Sequence, residues 1–194
     1  MVVFFVQLHF TTRVRYGFLS VQLNYTIRRL ILNMGTYGPL FADRVLHKGL
    51  DGFGSILFAA GAGSMASGIL SATSSTHYSQ RFIFTAAGLC GLLLMAVSYI
   101  FWTIPALLMF ALLGFATILF MVNCNTAIQM ASPPEYLGRI MGLYTFVFLG
   151  SAPFGSLLVS AIIEYMGTSL GLAIVGLFEI ILILLTAKTY SKQK

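Results

Sequence analysis

Charge is what this sequence has least of. Among 194 residues there are 11 Lys and Arg and 5 Asp and Glu, so charged side chains make up 8% of the chain against 58% hydrophobic ones. A water-soluble domain carries about 25% charged residues to cover its surface. A chain this poor in charge, with a mean hydropathy of +0.92, is therefore not a water-soluble globule. Intrinsic disorder is excluded by the same figures, because it needs low hydrophobicity and high charge. Cysteine is scarce too. Cys90 and Cys124 both fall in apolar runs, which excludes a disulfide framework and reads as two small buried thiols. The three histidines, His9, His47 and His77, lie outside the apolar spans, so none can serve Ser67 as a general base. There is no HExxH, no carboxylate pair in an apolar run, and no phosphate-cradling glycine loop followed by lysine. An intramembrane protease and an ATP-driven motor are both disfavoured. No enzymatic activity, metal or cofactor is expected.

What is abundant is uninterrupted apolar sequence. Residues 52–80 and 82–134 carry no Lys, Arg, Asp or Glu, nor do residues 140–163, and 165–187 is broken only by Glu179. Crossing a bilayer takes roughly 20 apolar residues. Inside lipid the backbone must satisfy its own hydrogen bonds, so these runs are helices. No alternation of period two suggests a barrel. The sequence predicts an all-α membrane protein, a six-transmembrane-helix bundle with spans near 30–46, 53–72, 82–100, 105–128, 140–163 and 169–187. Residues 1–29 are read as a cytoplasmic segment with an amphipathic surface helix over about 14–27. Residues 30–187 form the membrane domain and 188–194 a cytoplasmic tail. No cleavable signal peptide is expected, because no basic region precedes the apolar first ten residues.

The net charge of +6 might in a soluble protein suggest nucleic acid, but the basic residues are scattered between apolar runs. The positive-inside rule accounts for them. With six alternating spans and a cytoplasmic N-terminus, Arg13, Arg15, Arg28, Arg29, Arg81, Arg139, Lys188, Lys192 and Lys194 lie inside, and only Arg44 and Lys48 outside. Both termini are thus expected in the cytoplasm. The partners expected are the lipid bilayer and a small solute, with no nucleic acid.

Polar and small residues within the spans are the candidate functional positions. Ser64 lies four residues before Gly68 in a run that starts at Gly61; Ser151 and Gly155 repeat the spacing, as do Ala87 and Gly91. Such small-xxx-small pairs let helices approach closely in lipid. Gly61, Ser64, Gly68, Ser151 and Gly155 are read as helix-packing residues. Asn33 and Tyr37 in the first span, and Asn123, Asn125 and Gln129 in the fourth, either bond between helices or line a solute pathway. Glu179 is the one carboxylate well inside a span. Charge is costly there, so it is read as a candidate proton carrier, against the plainer readings of a glutamate on a peripheral helix face or one held protonated by a neighbour. Ser132-Pro133-Pro134-Glu135 fits a capping box that would start a short helix before Arg139.

These stretches carry a family likeness. Asn125 to Gln129, then Pro134-Glu-Tyr-Leu-Gly-Arg139 and Gly142-Leu-Tyr144, resemble the tenth-to-eleventh helix region of major facilitator superfamily transporters, most closely the branch of enterobactin exporters and macrolide efflux proteins. Gly150-Ser-Ala-Pro-Phe-Gly155-Ser is similar to the eleventh helix of that branch. Gly38 to Ala42 and Val45 to Gly49 resemble the end of its seventh helix and the loop outside, Phe53 to Gly68 its eighth helix, and Tyr16 to Leu30 the central cytoplasmic linker. The likeness spans about residues 16–187. Leu137 departs from it, standing where a basic residue commonly precedes Gly-Arg. The resemblance implies the second six-helix half of a transporter in the inner (plasma) membrane, exporting a small amphiphilic solute such as a drug or siderophore by alternating access. A second half, or a homodimer, would complete the pathway. Ser132, Glu135 and Arg139 would belong to its cytoplasmic gate. The competing reading is a non-transporting membrane protein, either a truncated remnant or an interaction subunit.

Overall fold

A computed structural model describes residues 34–73 and 80–191. Six α-helices occupy them: α1 (Met34–Arg44), α2 (Gly49–Thr73), α3 (Gln80–Ser98), α4 (Thr103–Ala131), α5 (Leu137–Met166) and α6 (Thr168–Ser191), with a single 3₁₀ turn at Pro134–Tyr136 before α5. They correspond one to one with the six expected spans, and no strand occurs among the described residues. Asn33, the amphipathic segment over 14–27 and most of the 71–80 loop lie outside the described residues. Four helices are long and apolar enough to cross a membrane, and α3 contributes a shorter apolar helix over Ile83–Ser98. At 1.5 Å per residue the 25 residues of α2 reach about 37 Å, enough to cross a hydrocarbon core of about 30 Å.

The turns between helices follow from local chemistry. The α1–α2 turn has His47 at φ 53° and Gly49 at φ 50°, and the Lys48 amide donates to the Ala42 carbonyl at 3.0 Å. The left-handed backbone at Gly49 suits a residue with no β-carbon. Gly167, at φ 81°, does the same between α5 and α6 and caps α5 through its amide to the Ile163 carbonyl at 2.9 Å. Between α3 and α4 the chain reverses within Ser98–Trp102, which divides the long charge-free run at 82–134 into its two spans.

Ser132 corrects a sequence expectation. It does not start a helix as an N-cap. It ends α4, and its hydroxyl donates back to the Ile128 carbonyl at 2.6 Å. The short helix that follows is capped at Pro133 with no side-chain hydrogen bond, so the capping box is not formed. The reason is competition: a serine at the end of a helix reaches its own carbonyl four residues back, a bond that needs no second residue. Thr73, Thr126, Thr145, Ser156 and Thr186 bond in the same way, each to the carbonyl four residues earlier, which hides hydroxyls from lipid.

Helix pairing is uneven. α2 packs most extensively on α4 and α3 on α6; α3 also meets α4, and α1 lies against α2. The α2–α4 crossing depends on two glycines. A β-carbon on Gly63 would overlap the Ala111 carbonyl, and one on Gly114 would overlap the Ala60 carbonyl. The Ser64 hydroxyl donates across the same crossing to the Gly114 carbonyl at 3.3 Å. Ser64 thus lies in the crossing. Gly61 and Gly68 do not, since a β-carbon on either would meet nothing within 4 Å. Each residue advances about 100° around a helix, so Ala60, Gly63 and Ser64 share the face toward α4 and Gly61 points away. At the α3–α6 contact, a β-carbon on Gly176 would come within 2.8 Å of the Gly91 carbonyl. Ser151 and Gly155 are both buried along α5.

Two apolar clusters fill the bundle. One gathers Phe41, Ile56, Leu94, Phe110, Val159 and Leu172; the other gathers Ile83, Phe120, Cys124, Ile128, Tyr144 and Ile183. Phe41 meets Phe110 edge-on with ring centroids 5.3 Å apart, which ties α1 to α4.

Candidate functional site

The most distinctive polar feature adjoins the first of those clusters, which includes Tyr37 and Cys90. Glu179 is 1% exposed and Cys90 fully buried, and Tyr37 is 1% exposed. The Glu179 carboxyl and the Cys90 thiol are near enough to the Tyr37 phenol to act on it electrostatically. The Cys90 Sγ lies 3.8 Å from the Thr117 hydroxyl. Glu179 stands at the α3–α6 contact, its Cβ 3.6 Å from where a β-carbon on Gly91 would sit. Cys90 of α3, Thr117 of α4 and Glu179 of α6 thus form a polar layer, with Tyr37 of α1 in the same buried cluster as Cys90. Thr117 and Glu179 each fall at the middle of their helix, and Cys90 one residue past the middle of α3. The glycine contact at Gly91 and Gly176 brings the α3 and α6 backbones together here, leaving room for a carboxyl but not for a bulkier neighbour. Glu179 is therefore not a peripheral surface glutamate.

The polar residues of α4 are divided. Asn123 is buried, with its side-chain amide donating to the Leu119 carbonyl at 2.6 Å, whereas Asn125 is half-buried and Gln129 exposed. The Gln129 amide reaches the Asn125 side-chain oxygen at 3.3 Å, as the spacing of four implies. The polar candidates of α1 and α4 therefore do not share one open face. Tyr37 and Asn123 turn into the bundle, and only Asn125 and Gln129 present themselves at its surface. Past them, Glu135 and Arg139 are both exposed around the turn into α5.

At the opposite end, the Arg44 guanidinium donates to the Glu164 carboxylate at 3.1 Å, linking the C-terminal ends of α1 and α5. The two residues stand 120 positions apart, and nothing in the sequence pattern pairs them. An open groove of about 830 Å³ runs between α2 and α4 at that end, with Asp51 and Ser55 at its polar edge and Phe58, Ile104 and Leu108 along its apolar wall. No group of three or more His, Cys, Asp or Glu that could hold a metal occurs among the described residues.

Long apolar helices around a polar layer define a multi-pass membrane protein. The chain belongs to the transmembrane secretion effector family, a family of the major facilitator type whose profile matches residues 11–193. No curated protein and no solved structure matches it.

Proposed function

We propose that this chain is a transporter half that works with a second six-helix unit to export a small amphiphilic solute, such as a drug or a siderophore, across the inner (plasma) membrane. The observation that carries the reading, beside the family, is the open side of α5. Among the described elements α5 makes substantial contacts only with α6, α1 and the 3₁₀ turn before it. A β-carbon on Gly138, Gly142 or Gly150 would meet nothing within 4 Å, and Thr145, Leu149 and Pro153 are exposed between them. A smooth glycine-bearing face suits close approach by another helix. In alternating access, two such units rock about a site near the midplane. Asn125 and Gln129 would line the pathway, together with Asn33, while Arg139 and Glu135 would sit at its cytoplasmic gate.

The test uses intact cells that lack exporters of their own, preloaded with a panel of fluorescent amphiphiles. Expression of the chain with a co-expressed second unit should accelerate efflux of at least one dye. Unchanged efflux of every dye under every pairing would instead favour the remnant or interaction-subunit reading.

A further inference from the structure

We propose that the groove between α2 and α4 is a lipid site, which takes one acyl chain of a phospholipid whose headgroup carries a primary ammonium, with the Asp51 carboxylate receiving that ammonium. The site stands whether or not the chain transports. Its depth is the first observation. On α2 the lining runs from Leu50 to Ala62, about 18 Å of helix against a hydrocarbon core of about 30 Å, so the groove is about one leaflet deep. It ends where α2 and α4 close on each other, with Gly63 against the Ala111 carbonyl. Small residues, Gly54, Ala62 and Ala111, alternate along it with the large exposed side chains of Phe58, Ile104 and Leu108. A slot shut at its inner end suits a flexible hydrocarbon chain entering from one leaflet. A neighbouring transmembrane helix would need a face continuous through both leaflets.

The mouth lies at headgroup depth. Tyr99 and Trp102 in the α3–α4 turn and Tyr165 at the end of α5 are all well exposed at that end of the bundle, the pattern of an interfacial aromatic belt. The charges there suit a zwitterion. Among the described residues the Asp51 carboxylate has no ion pair or hydrogen bond, and neither has the exposed ammonium of Lys48 in the turn before α2. A headgroup ammonium can donate to Asp51 while the phosphate of the same lipid lies toward Lys48 and the positive end of α2. A choline headgroup offers the same phosphate but no N–H, so it cannot make the first contact.

Trp102, the one tryptophan in the chain, stands two residues before Ile104 of the groove and supplies the probe. The purified full chain is reconstituted in phosphatidylcholine vesicles with a rising share of phosphatidylethanolamine or phosphatidylcholine brominated on the acyl chains, and quenching of Trp102 gives their relative affinity. The amine lipid should be favoured at least about threefold at low salt, the ordinary worth of an exposed ion pair, and less as salt rises. Asp51→Asn should bring the two lipids to parity. Gly54→Leu, with open space at its Cα, should fill the groove and abolish the preference, whereas Gly61→Leu, outside the groove, should leave it intact. Equal quenching by both lipids in the unmodified protein overturns the proposal, as does a preference that survives both Asp51→Asn and Gly54→Leu. A brominated long-chain alkylammonium that quenches while the two lipids stay equal would give the groove to a cationic solute. Protection of Trp102 from every brominated lipid in a crosslinked dimer would give it to a second protein unit. Either result contradicts a lipid occupant.

Discussion

Gly63 and Gly114 set the close approach of α2 and α4, because each faces a backbone carbonyl that cannot move aside. Gly63→Leu should destabilise the bundle by about 2 kcal/mol or more, the usual cost of overpacking a tight contact. Gly61→Leu, two residues away with open space at its Cα, should stay within about 0.5 kcal/mol. Unfolding in mixed detergent micelles measures both, and equal effects would contradict the assigned crossing. The two glycines also show the limit of sequence reading at this scale. The run from Gly61 to Gly68 holds seven small residues in eight, so the spacing of four is satisfied several ways and the facing helix decides which pair is used. Glu179 was legible as an anomaly, a lone carboxylate in lipid-length apolar sequence. Its companions were not, because Tyr37 and Cys90 lie far away in the chain and nothing in a linear pattern says which helix faces α6.

At the scale of elements, all six helices were legible, four of them long and apolar enough to cross a membrane, and for one reason: lipid offers the backbone no hydrogen bonds, so apolar length converts directly into helix. Pairings between helices were less so, since apolar faces look alike when every side is apolar. The α4–α5 turn marks a boundary case. Its position was readable from two prolines, but its capping was not, because Ser132 had a nearer acceptor in its own helix. Arg139 stands at the start of α5 with its side chain exposed. Arg139→Ala is expected to shift the balance of inward- and outward-open states, read by accessibility of engineered cysteines, while leaving dye preference and folding unchanged. Altered preference with an unmoved balance would contradict the gating role. The Arg44–Glu164 pair joins α1 to α5, yet both side chains are well exposed, at 43% and 71%. A double-mutant cycle should return less than about 1 kcal/mol, falling further with added salt.

For the whole molecule, the account makes two claims about placement in the membrane. The first is orientation. The ion pair puts the C-terminal ends of α1 and α5 at one end of the bundle, and we propose from the scarcity of basic residues there that this end faces outward. Reporter fusions should be active outside at Lys48 and inside at Lys194; outside activity at Lys194 would reverse the assignment. The second is central, and it is the proposal made above that the bundle supplies one wall of a pathway and works with another unit that supplies the other. A bundle whose α5 presents exposed glycines toward lipid has little to hold a solute by itself. The measurement that bears on this most directly is proton-linked dye flux from liposomes carrying the purified chain, with the oligomeric state of the same sample fixed by crosslinking. The account predicts flux from paired units, whether a dimer or a complex with a second six-helix unit, and none from monomers. Robust flux from a demonstrably monomeric population would contradict it.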